Sequence, residues 1–260
     1  MASAGRSAPN FVVHRPPQSA VQLVGTVAKL SSAQISQLLA DGHRAHLIIE
    51  AAAHLGLARA QVLLGRMLLE GMGGLKNETA AYEWFKRAAA RGNADACNMV
   101  GRCLENGWGA AIDCEQAAIC YRRAAQAGDS WAQYNLGHLY LNGVGVRRDP
   151  AEALHWYQES AGQGHPRAMN LVGRCFEQGW GVMRDPEAAC VWYRASAQAG
   201  YFRGQYNYAS VLMSLGRRAE AVIWLRHAIT QAPSHTKALI LRSSAERWNI
   251  NLSTLVPAAS

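Results

Sequence analysis

Acid is missing from the first 40 residues, no Cys-x-x-Cys occurs anywhere, and no run of about 18 apolar residues interrupts the 260-residue chain. Each absence excludes something. Without the apolar run no segment reads as a transmembrane helix. Without Cys-x-x-Cys a structural zinc site has no support. A nucleophile and base at readable spacing are also lacking, so nothing marks an enzyme, and no cofactor motif appears. The acid-free start carries Arg6, Arg15 and Lys29 among many Ser and Ala, the composition of a tail or of an organelle transit peptide. Pro9, Pro16 and Pro17 spoil the amphipathic helix that a transit peptide needs. Residues 1–30 therefore read as a flexible basic tail, and the expected compartment is the cytoplasm, with organelle targeting through residues 1–40 as the alternative.

Glycine, by contrast, is abundant and regular. It returns every 36 residues at Gly56, Gly92, Gly128, Gly164 and Gly200, and a second set keeps step at Gly65, Gly101, Gly137 and Gly173. A fixed period of this length signals a solenoid, whose units cannot bury their apolar faces alone and must stack on their neighbours. The units run without gaps as 58–93, 94–129, 130–165 and 166–201. In the third, Ala132, Leu136, Gly137 and Tyr140 make one stripe of a first helix, and Ala153, Trp156, Tyr157 and Ala161 make the stripe of a second. Asp149 and Pro150 suit the N-cap and first turn of that second helix, and Gly164 suits its left-handed end. Gly137 and Ala153 are expected to let the two helix backbones approach closely.

The order Ala-x3-Leu-Gly-x2-Tyr-x2-Gly-x-Gly-Val-x2-Asp-x3-Ala-x2-Trp-Tyr-x3-Ala-x2-Gly over residues 132–164 resembles the Sel1-like repeat, a longer relative of the tetratricopeptide repeat. The resemblance implies an all-α, right-handed solenoid of stacked antiparallel helix pairs. Residues 202–235 depart from it, with a shortened glycine loop nearer the ordinary tetratricopeptide unit. Capping helices are expected over 31–57, at Ala33–Leu39 and Arg44–Leu55, and a C-terminal cap with a tail over 236–260. Ten to twelve helices follow, in an elongated monomer.

Six cysteines sit at irregular phase: Cys97, Cys103, Cys114, Cys120, Cys175 and Cys190, with none in the first or third unit. The resemblance includes a cysteine-rich branch described as β-lactam-binding hydrolases, with two cysteines at fixed phase in every unit. This chain lacks that pattern, so free thiols are expected. His43, His46, Glu50 and His54 fall on one arc of the N-terminal helix and are read as its polar face rather than a metal site. The Gly-x-Gly triplets, such as Gly143–Gly145, are inter-helix turns because none follows a strand.

Charge is uneven. Residues 58–201 carry 15 basic and 14 acidic side chains, whereas 202–260 carry 7 and 2. That end leaves nucleic acid or an anionic membrane surface as alternative partners. The resemblance assigns three phases of the first helices to a concave groove. The first holds Asn98, Tyr134, Asn170 and Tyr206, the second Arg66, Arg102, His138 and Arg174, and the third Glu105, Leu141 and Glu177. An asparagine can grip a peptide backbone with both donor and acceptor, an arginine can hold a carboxylate, and Trp131 and Tyr134 would anchor. Residues 94–129 and 166–201 are identical at 19 of 36 positions, against 10 of 36 for 94–129 and 130–165, so a 72-residue period overlies the 36-residue one. The expected function is a non-enzymatic scaffold for a protein or peptide partner with acidic groups, with no small-molecule substrate. The opposing reading pairs Arg102 with Glu105 and Arg174 with Glu177 on a solvated face.

Overall fold

The computed structural model describes residues 43–72, 74 and 76–250, with side chains from residue 46 onward. Twelve helices and no strand occur among them. The expected helix at Ala33–Leu39, the basic tail and residues 251–260 lie outside the described residues.

The chain forms two compact units, Met1–Arg91 and Gly92–Ser260. The first contains α1 (His43–His54), α2 (Ala58–Glu70) and α3 (Glu78–Ala90). Here Ile49, Ala52 and Ala53 of α1 bury against Ala60, Leu64 and Met67 of α2 and Trp84 of α3. The second unit contains α4 (Ala94–Asn106), α5 (Cys114–Gln126), α6 (Ser130–Asn142), α7 (Pro150–Gly162), α8 (Pro166–Gln178), α9 (Pro186–Gln198), α10 (Phe202–Ser214), α11 (Arg218–Gln231) and α12 (Ser234–Trp248). Within it α4 packs on α5, α6 on α7, α8 on α9 and α10 on α11, and each pair packs on the next.

Local chemistry explains the boundaries. Asp113, Asp149 and Asp185 accept backbone N–H groups at the starts of α5, α7 and α9, while Asn93 and Asp129 do the same for α4 and α6. Such a cap satisfies donors that the first turn leaves unpaired and contributes about 1 kcal/mol. Gly143 ends α6 in the left-handed region at φ 71°. Gly145, two residues on at φ 66°, lies so close to the carbonyl of Cys114 that any Cβ would collide with it.

Inside each pair the small residues let the two backbones approach, a Cβ on Gly101 or Gly173 standing 3.2 or 3.3 Å from the carbonyl oxygen of Ala117 or Ala189, and they also seat a ring. A Cβ on Gly137 would stand 2.5 Å from the ring of Tyr157, and on Gly101 or Gly173 about 2.8 or 2.7 Å from Tyr121 or Tyr193. The glycine is the seat for a fully buried tyrosine of the second helix. Contacts between pairs add polar ties. Gln133 and Gln205 donate to the carbonyls of Ala125 and Ala197, while within a pair Ser160 and Ser196 donate to those of Ser130 and Pro166.

Candidate functional site

First helices α6, α8 and α10, with the start of α12, line a groove of about 420 Å³ in the second unit. It brings together five residues expected from the sequence: Tyr134, His138, Asn170, Arg174 and Tyr206. Its cations are Arg167, Arg174 and Arg203, and no Asp or Glu lines it. Phe202, Tyr206, Leu171 and Ile240 supply apolar wall.

The aromatic wall is a cluster of edge-to-face and tilted ring contacts. Tyr134 meets His138 at 4.6 Å and His165 at 5.2 Å between ring centroids, and His138 meets the buried Tyr157 at 5.6 Å. Burial pushes the Tyr134 phenol up, with Tyr201 adding to it and Arg167 and Arg203 opposing. Burial, and then the nearby Arg174, pushes His138 below the ordinary imidazole value. The groove therefore presents a neutral imidazole at pH 7 among three guanidiniums.

Trp131 stands beside the groove, 46% exposed. The Arg167 guanidinium lies 5.2 Å over its indole and 5.9 Å over the Tyr201 ring. These residues, with His165, line an adjoining depression of about 480 Å³. His165 Nδ1 accepts the Ala168 N–H at 3.2 Å as the N-cap of α8, and its ring meets Trp131 edge-on at 4.4 Å. Burial first, then Arg167, pushes its pKa down to about 4.

Asn98 and Asn170 lie between repeats. Both are buried, at 4% and 5% exposure, and their Oδ1 atoms accept from Asn135 Nδ2 at 3.0 Å and Asn207 Nδ2 at 2.8 Å. Each amide is thereby engaged as a tie between repeats. Asn170 still borders the groove; Asn98 does not. Arg66 is exposed on α2 in the first unit.

The opposing Arg–Glu pairs are replaced by another arrangement. Glu105 accepts the Tyr121 hydroxyl at 2.6 Å and Glu177 accepts the Tyr193 hydroxyl at 2.9 Å. Arg102 lies over Trp108 at 5.1 Å, and Arg174 over Trp180 at 4.9 Å. Arg167, Tyr201 and Ile240 are groove residues that the sequence reading missed. A signal existed for Arg167 and Arg203, which share the 36-residue phase of Trp131 in the first turn of a first helix.

Elsewhere the basic C-terminal end is partly neutralised by its own acids. Arg217 pairs with Glu220 through two bonds of 2.9 and 2.7 Å, and Arg242 pairs with Glu246 at 2.7 Å. Among the described residues no disulfide joins any of the six cysteines, and burial raises Cys175 to about 12, too high for a reactive thiolate. His46 lies 3.8 Å from Glu50, and His54 packs edge-on against Trp84 at 5.0 Å. Among the described residues no group of three ligating side chains could hold a metal ion, and no helix is long and apolar enough to cross a membrane.

The Sel1 repeat family model matches residues 58–93, 94–129, 132–165 and 166–201. No curated protein matches. Among solved structures, a Sel1 repeat protein from Oxalobacter formigenes superposes with a TM-score of 0.75 at 24% identity, covering 88% of this chain and 94% of that one. The c5321 protein of uropathogenic Escherichia coli, a protective antigen displaying an SLR fold, gives a TM-score of 0.66 at 26% identity. That alignment covers 81% of this chain but only 47% of c5321, so the chain spans about half the length of that relative. A Sel1 repeat protein from Klebsiella pneumoniae gives 0.51 at 21% identity, covering 75% of this chain and 96% of its own. Sel1 repeats form a helical solenoid typical of protein-interaction scaffolds and in general not catalytic. With four consecutive matches over more than half its length, the chain belongs to the Sel1 repeat family.

Proposed function

We propose that this protein is a non-enzymatic scaffold that binds a peptide segment of a partner along the first-helix face of its second unit. The observation that carries the reading is the groove bordered by Arg167, Arg174 and Arg203 without any carboxylate. Three cations in one concavity repel each other until an anion enters, and each charge-assisted contact to a carboxylate contributes about 1.5–3 kcal/mol. Tyr134, Tyr206, Phe202 and Ile240 add apolar contact for an aliphatic or aromatic side chain. The partner that fits is an acidic peptide with an apolar anchor.

A random dodecapeptide display library selected on the protein tests this. Peptides combining Asp or Glu with an apolar residue should be enriched, and should lose at least tenfold in affinity on the Arg174→Glu, Arg203→Glu double variant, a loss of about 1.4 kcal/mol. Selected peptides that bind wild type and double variant equally would overturn the proposal. Circular dichroism should show unchanged helicity, because both arginines are exposed.

A further inference from the structure

We infer that the second and fourth repeats carry two copies of one carboxylate-binding station, and that the partner meets both at once through two acidic side chains on one extended segment. The inference rests on the peptide-binding reading above and specifies the partner's pattern.

The two stations match residue for residue. Each has an arginine lying over a tryptophan of the glycine loop, Arg102 over Trp108 and Arg174 over Trp180. Each has a glutamate one turn on that accepts a buried tyrosine hydroxyl, Glu105 from Tyr121 and Glu177 from Tyr193. The hydroxyl is what releases the arginine. A glutamate at i+3 is within reach of a guanidinium on the same helix, yet neither Arg102 nor Arg174 forms an ion pair among the described residues. Among the described residues the guanidinium of Arg102 donates to the Met99 sulfur at 3.6 Å.

A guanidinium stacked on an indole keeps its edge N–H groups outward. Much of its side-chain freedom is already lost before a ligand arrives, so less is lost on binding. Its planar fork matches a carboxylate through two parallel bonds.

Between the stations the third repeat is uncharged at the same phases. His138 stands where the arginines stand, and Leu141 where the glutamates stand. Burial and Arg174 keep His138 neutral at pH 7. Within the second unit, cationic anchors at this phase therefore sit on the second and fourth repeats with an aromatic and apolar patch between them. Packed helices lie about 10 Å apart, so anchors two repeats apart are separated by roughly 20 Å. An extended chain rises about 3.3 Å per residue, which places the two acids about six residues apart. The intervening residues should be uncharged, with an apolar one facing Tyr134 and Leu141.

The test uses fluorescein-labelled synthetic peptides on the full chain, read by anisotropy. Each contains two glutamates and one leucine in an uncharged background, the glutamates spaced by about two, six or ten residues. The six-residue spacing should bind at least tenfold tighter than the two-residue spacing. Arg102→Ala or Arg174→Ala should each erase that preference. Arg102→Lys, which keeps the charge but not the planar stack, should erase most of it. Equal affinity at all spacings would overturn the twin stations while leaving the acidic-peptide reading intact. Failure of every acidic peptide to bind would overturn both. Equally tight, spacing-independent binding of a single-stranded oligonucleotide would show phosphate contacts and likewise overturn the inference.

Discussion

The fourth repeat and the third differ by one position that decides the state of a buried tyrosine. In the fourth, Tyr193 donates its hydroxyl to Glu177 at 2.9 Å. In the third, Leu141 occupies the glutamate position, and the hydroxyl of the fully buried Tyr157 has no hydrogen-bond partner among the described residues. Two repeats of one family, with one backbone, thus place the same ring in opposite polar circumstances. A repeat's helices and glycines specify where a side chain sits; a residue on the facing helix decides what it costs to keep it there.

The first-helix caps differ as well, and they give the largest expected effect. Asp129 caps α6 through a carboxylate, whereas His165 caps α8 through a neutral ring nitrogen. The His165 pKa is near 4 in the folded protein, below the ordinary 6.5. Above about pH 6.5 the ring is neutral in both folded and unfolded chains and its contribution is fully present. As pH falls from 6.5 towards 4, the unfolded chain takes up a proton that the folded chain refuses, and stability is lost. Below 4 no further loss comes from this residue. The total is up to about 3 kcal/mol. Chemical denaturation across this range measures it, and His165→Asp, which copies the third repeat's cap, should remove most of the slope. His138, also held low, contributes in the same direction. An unchanged slope in the variant would show that His165 does not titrate as its burial implies.

Next in size is the tyrosine contrast itself. Tyr193→Phe removes a hydrogen bond to a carboxylate and should destabilise by about 2 kcal/mol. Tyr157→Phe removes a buried hydroxyl without a partner and should raise stability by about 1 kcal/mol. Opposite shifts in melting midpoint at equal denaturant slope would uphold the comparison. Shifts of the same sign would break it.

The smallest effect sharpens the cause. Leu141→Glu installs the second and fourth repeats' carboxylate in the third, giving the Tyr157 hydroxyl an acceptor. In that background Tyr157→Phe should change from stabilising to destabilising, a coupling of about 1 kcal/mol or more in a double-mutant cycle. A coupling near zero would mean that the hydroxyl and position 141 do not meet.

Much of the fold was legible because its signals repeat. Gly164 was expected to end a second helix and lies at φ 85°; Asp149 was expected to cap α7 and accepts the N–H groups of Ala151 and Glu152. The helix predicted at Arg44–Leu55 is α1. Of the candidate site, Tyr134, His138, Asn170, Arg174 and Tyr206 do border one groove. Arg167 carried a signal in its shared phase with Trp131, whereas Tyr201 and Ile240 were not legible, since a repeat boundary and the C-terminal helix contribute them.

The sequence by itself determined what depends on neighbours within a helix or its turn. Helix periodicity, caps and left-handed glycines are set by interactions spanning four residues or fewer, and 36-residue repetition multiplied each signal. Tertiary structure alone decided the use of the polar atoms. Asn135 reaching Asn98, Asn207 reaching Asn170, and Tyr121 and Tyr193 reaching a glutamate 16 residues away are contacts between helices. They turned two presumed ligand-gripping amides into ties between repeats, and left two arginines on their tryptophans with no acid of their own. Such choices depend on helix register and side-chain rotamer, which no spacing along a single chain records.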